Sequence, residues 1–92
     1  MPENSEDTIT LAGDLHARPA GQLAVAAAQF SSTVRLIAGG GGAQADAKSV
    51  LAVMQLGASS GQQVTVRAIG PDAEKAVETP IGILPAVSKV GG

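Results

Sequence analysis

The chain of 92 residues has no cysteine, no tryptophan and no tyrosine, one phenylalanine (Phe30) and one histidine (His16). Without cysteine there can be no disulfide and no thiolate metal site. A lone histidine excludes a histidine-rich metal cluster, and the acidic residues form no group suited to an all-carboxylate site, so neither metal nor cofactor is expected. Six basic residues (Arg18, Arg35, Lys48, Arg67, Lys75 and Lys89) are scattered among eight acidic ones, for a net charge of −2. With almost no aromatic rings to stack on bases, nucleic acid is a poor candidate partner, and proteins or small anions are better ones. No apolar run approaches the roughly 20 residues of a membrane-spanning helix. The acidic opening MPENSEDTIT is unlike the basic start and apolar stretch of a signal peptide. These absences predict a soluble, cytoplasmic protein with no membrane insertion.

What is present is aliphatic: hydrophobic residues make up 45% of the chain. That suffices for one small domain over residues 1–92, with a core of Val, Leu, Ile and Ala whose small side chains must pack tightly. Residues 1–7 read as a frayed leader. TITLA (8–12) alternates with Ile9 and Leu11 on one face, the period of a half-buried strand. Leu23, Ala24, Ala27 and Phe30 fall on one helical stripe, and Pro19 sits where a first-turn proline is tolerated, so a helix should begin at Ala17 to Pro19. Gly21 inside it costs up to about 1 kcal/mol against Ala, for which close packing is one reason.

STVRLIA (32–38) reads as a second strand, GGGG (39–42) as a turn and AQA (43–45) as a short third strand. KSVLAVMQLG (48–57) reads as a short helix capped by Ser49 and stopped by Gly57. QQVTVRAIG (62–70) alternates with Val64, Val66 and Ala68 on one face, and PDAEKAVE (71–78) opens a last helix. Pro80, Gly82 and Pro85 should stop that helix near Glu78 or Thr79, leaving 79–92 as an atypical segment in which Ile81, Ile83, Leu84 and Val87 could still cover the core. This order predicts an α+β fold of two layers, a small sheet with helices on one face.

The stretch DLHARPAGQ (14–22) carries the chemistry. His16 falls at or just before the start of the first long helix, where unpaired N–H groups and the helix dipole favour an anion. The amides of Ala17, Arg18 and Ala20 can face an anion attached to His16, and Arg18 can add a charge-assisted bond. Uncharged imidazole is a nucleophile near neutral pH. These parts suit a histidine that accepts and releases a phosphoryl group, a reaction that needs mainly positioning and charge stabilisation. Read alone, they also suit an ordinary exposed histidine ahead of a helix.

LHARPA (15–20), followed by KSVLAVMQLG (48–57), resembles the two signatures of the HPr family, the histidine-containing phosphocarriers of the bacterial sugar phosphotransferase system. The resemblance covers roughly residues 8–78 and implies the open-faced β-sandwich of HPr. It further implies that His16 is phosphorylated on Nδ1 by the phosphoenolpyruvate-dependent enzyme I and passes the group to an enzyme IIA-type domain. Arg18, with the backbone at Ala17 and Arg18, would steady the phosphate, and the protein would act as a monomer without turnover of its own.

Ser49 stands where many members carry a regulatory serine, modified by an HPr serine kinase; the plainer reading is an N-cap. Val50, Leu51 and Met54 would form the docking patch, with Gly57 allowing close approach and Val53 and Leu56 inside. Alternatives are a regulatory binding protein controlled at Ser49, the same carrier in a dihydroxyacetone-kinase or nitrogen-branch relay, and a vestigial domain. Two features depart from the family pattern: Asp14 replaces a glycine, where a carboxylate so near a phosphohistidine is unhelpful, and the tail lacks the family's long closing helix.

Overall fold

The computed structural model describes residues 3–15, 17–39, 42–84 and 86–90. Strands β1 (Glu3–Leu11), β2 (Thr33–Ala38), β3 (Gln44–Asp46), β4 (Gln63–Gly70) and β5 (Ala86–Val90) alternate with helices α1 (Ala17–Ala27), α2 (Val50–Leu56) and α3 (Ala73–Ile83). The strands form one antiparallel sheet in the order β3-β2-β4-β1-β5. Alternation sends Ile9, Leu11, Val34, Leu36, Val64 and Val66 to the face covered by the helices, where all are buried. Leu23, Ala20 and Ala27 of α1 and Val53 of α2 close over them. The core is thus aliphatic, with Phe30 only partly buried at its margin. This is the α+β two-layer arrangement expected from the sequence.

Four expectations need correction. Residues 3–7 are not a frayed leader: Glu3 to Asp7 pair in register with Gly70 to Val66 of β4. Backbone pairing to a well-formed neighbour holds this polar segment without an apolar stripe of its own.

The last helix does not stop at Glu78 or Thr79 but runs through Pro80 to Ile83. Proline in a helix interior costs about 3 kcal/mol. Here it lies in the final turn, its carbonyl still accepts from the Leu84 amide at 3.0 Å, and its ring is fully buried. Burying three ring methylenes at about 0.8 kcal/mol each offsets much of the penalty.

The tail, in turn, is not irregular throughout, because Ala86–Val90 adds a strand to β1 with Thr8 opposite Val90. Ile81 and Leu84 do pack on the core.

Nor does close packing explain Gly21, since a Cβ built there meets nothing within 4 Å. It borders an open, mainly apolar groove between α1 and α3, lined also by Val25 and Ile83. Among the described residues no helix is long and apolar enough to cross a membrane, and no group of three His, Cys, Asp or Glu side chains could hold a metal ion.

Candidate phosphoryl-transfer site

His16, the predicted phosphoacceptor, lies outside the described residues, so the site is defined by what flanks it. Leading up to it, the pairing of β1 with β4 continues past the last strand pair, Thr10 opposite Gln63. The Leu11 amide donates to the Gln62 carbonyl at 2.9 Å, and the Gly61 amide donates to the Leu11 carbonyl at 2.8 Å. Ala12 and Gly13 then bow away from the ladder. The chain returns where the Ser60 amide donates to the Asp14 carboxylate at 2.8 Å and the Leu15 amide donates to the Ala58 carbonyl at 3.0 Å. Leu15 and Ala58 are both buried, so this last rung is anchored in the core.

On the far side of His16, α1 begins at Ala17. Its opening amides, those of Ala17, Arg18 and Ala20, have no acceptor within the helix; Pro19 has no N–H. Arg18 is exposed and, among the described residues, has no ion-pair partner. Buried Ala20 and Leu23 fix the helix on the sheet. A free guanidinium beside a helix N-terminus can meet an oxyanion by charge-assisted bonds.

Helix α2 packs against α1. Its end leads through Ala58 to the Leu15 rung, while its start lies near the end of α1, where Lys48 Nζ donates to the Phe30 carbonyl at 2.8 Å. Gly57 and the α1 N-terminus therefore share one end of the helical layer. Ser49 is separated from that end by the length of α2, roughly 10 Å.

The Ser49 hydroxyl accepts from the Ala52 amide at 3.2 Å, as an N-cap. Gly57 has φ of 70°, a left-handed conformation that glycine adopts at little cost. Val53 is fully buried and Leu56 partly so, while Val50, Leu51 and Met54 are 40%, 65% and 40% exposed. The apolar residues of α2 divide as the sequence suggested, and the exposed three run along α2 from its first turn, next to Ser49, to Met54 one turn on. What sequence reasoning missed is the tie from Asp14 to Ser60. No local pattern marks it, since its partner lies 46 positions away.

The family model for the PTS HPr component phosphorylation site matches residues 4–81. The chain belongs to the HPr family. It is 41% identical over 64 residues to the phosphocarrier protein HPr of Mycoplasma capricolum, covering 70% of each chain. The HPr of Haemophilus influenzae is 34% identical over 84 residues, or 90% of this chain and 96% of that one. Among solved structures, a histidine-containing phosphocarrier protein of Mycoplasma superposes with a TM-score of 0.75 at 34% identity, covering 88% of this chain and 90% of that chain. The HPr fold and the phosphocarrier role in the phosphotransferase system follow from this membership. The family match ends at residue 81, and the strand β5 lies beyond it, in the segment where the sequence departs from the family's long closing helix.

Proposed function

We propose that His16 accepts a phosphoryl group from enzyme I, which draws it from phosphoenolpyruvate, and delivers it to an enzyme IIA-type sugar permease component in the cytoplasm. The reading is carried by one arrangement: in sequence the single histidine links a core-anchored residue, Leu15, to the N-terminus of α1, beside Arg18, which has no ion-pair partner among the described residues. In the first transfer an imidazole nitrogen lone pair attacks phosphorus. The new N–P bond forms as the bond from phosphorus to the donor breaks, and the donor keeps that electron pair. In the second transfer the acceptor's nucleophile forms its own bond to phosphorus as the N–P bond breaks, the electron pair of that bond returns to nitrogen, and uncharged imidazole is restored.

The helix N-terminus and Arg18 favour the phosphoryl charge while the group resides on the carrier. Val50, Leu51 and Met54 form the face met by both partners; flexible Met54 suits a surface that must accept more than one. Ser49 is an N-cap whose phosphorylation by a serine kinase would place about −1.5 to −2 charges at the border of that face and weaken docking of acidic partners.

The test is phosphorylation by enzyme I from the same host with labelled phosphoenolpyruvate, comparing the natural chain with His16→Ala. Acid-labile, base-stable label on the natural chain and none on the variant is expected. Label that persists in His16→Ala would move the acceptor elsewhere, and no label on folded natural chain would end the carrier reading.

A further inference from the structure

We infer that Asp14 is a positioning residue for phosphoryl transfer, clasping the histidine loop to the loop that follows the docking helix. The inference rests on the reading of His16 as phosphoacceptor. Between the rung at Leu11 and the rung at Leu15, residues 12–14 leave the β1–β4 ladder. Among the described residues, the one hydrogen bond that this excursion makes is the Asp14 carboxylate accepting from the Ser60 amide at 2.8 Å. A loop held at both ends but bowed in the middle keeps freedom in its backbone angles. The side-chain rung removes that freedom two positions before His16.

The other half of the clasp is itself braced. The Ser59 amide donates to the Gln62 side-chain oxygen at 2.9 Å. The Gln62 amide donates back to the Ser59 carbonyl at 3.0 Å, and the Gly61 amide donates to Leu11. Ser60 is thus presented by a tight turn with hydrogen bonds of its own. This turn also continues directly from Gly57 and buried Ala58, the end of α2. The clasp therefore places the phosphoacceptor loop and the docking patch in one frame. A partner seated on Val50, Leu51 and Met54 then finds Asp14 and Leu15, the residues leading into His16, in a set position, which favours an in-line transfer between two proteins.

A carboxylate near an incoming phosphoryl group is a cost, so the bond rather than the charge is what Asp14 contributes. That separates two variants. Asp14→Ala removes both, whereas Asp14→Asn keeps an oxygen acceptor and removes the charge. Asp14 and Ser60 are exposed, so both variants should fold, which a denaturation curve checks.

The first readout needs no partner: hydrogen exchange at the Ser60 and Leu15 amides of the unphosphorylated full chain should quicken in Asp14→Ala and stay near the natural rate in Asp14→Asn. The second is the initial rate of labelling by enzyme I. It should fall roughly tenfold or more in Asp14→Ala through kcat as well as KM, and match or exceed the natural rate in Asp14→Asn. An Asp14→Ala chain that is labelled at the natural rate would overturn the inference, as would an Asp14→Asn chain as slow as Asp14→Ala. Both results would leave the carrier reading intact. Absence of label on the natural chain would end the carrier reading and this inference with it, so the two failures are distinguishable.

Discussion

The carboxylate of Asp72, ahead of α3, closes on Ser32, ahead of β2 and 40 positions earlier. It accepts from the Ser32 amide at 2.9 Å and from the Ser32 hydroxyl, and a second oxygen accepts from the Ser31 amide at 2.9 Å. Ser32 is the buried polar residue among the described ones, and this clasp satisfies it.

These bonds, the Ser32 hydroxyl first and the Ser31 amide next, hold the Asp72 carboxyl below its ordinary value of 3.8. A depressed folded-state value means that the unfolded chain binds the proton more readily. The clasp therefore contributes stability above about pH 4, and that contribution fades as pH falls through the lowered folded-state value. Urea denaturation of the natural chain and Asp72→Asn should show a stability gap at pH 7 that narrows steadily below about pH 4. A gap that widens on acidification would contradict the assignment.

Two glycines should respond in opposite directions to alanine. Gly70 has φ of 150°, and a Cβ there would meet the Ser32 Cα at 2.6 Å and its Cβ at 2.9 Å. Gly70→Ala should cost roughly 2 kcal/mol or more in chemical denaturation, through both backbone strain and backbone overlap. Gly21 lies inside α1 with open space beside it, so Gly21→Ala should gain about 0.5–1 kcal/mol.

On the open face of the sheet, Arg35 of β2 stands directly opposite Arg67 of β4. Arg67 is paired with Glu6 across to β1 at 3.3 Å. Arg35 faces Asp46 in the β3 register, yet the two form no ion pair. Like charges opposite one another on neighbouring strands are unfavourable by roughly 0.2–1 kcal/mol. Arg35→Thr should therefore raise the denaturation midpoint at low salt, and the gain should shrink as salt screens the repulsion.

The division of α2 into inner and outer residues is testable with one pair of substitutions. Leu51→Ser should leave stability within about 0.5 kcal/mol, since the side chain is largely exposed, while raising the KM of enzyme I for the carrier. Val53→Ala should cost roughly 2 kcal/mol in denaturation and leave that KM near its natural value where the protein is folded. Equal stability losses would show that the exposed patch is core after all.

Much of this molecule is legible in the chain itself. The alternation of Val64, Val66 and Ala68, the stripe of Leu23, Ala24 and Ala27, and the Ser49 and Gly57 caps each express a local rule, which the structure follows. LHARPA and KSVLAVMQLG likewise point to the family by short-range identity alone. What tertiary structure decided is of another kind. Residues 3–7 become strand because β4 offers them partners, and α3 passes Pro80 because the core buries the ring. The Asp72 carboxylate turns to Ser32 instead of capping its own helix, and Asp14 finds Ser60 across 46 positions. Local propensity measures what a segment prefers when isolated. Each of these outcomes depends on a hydrogen-bond partner or a buried surface supplied by a distant part of the chain, and that becomes available only once the fold has brought the two together.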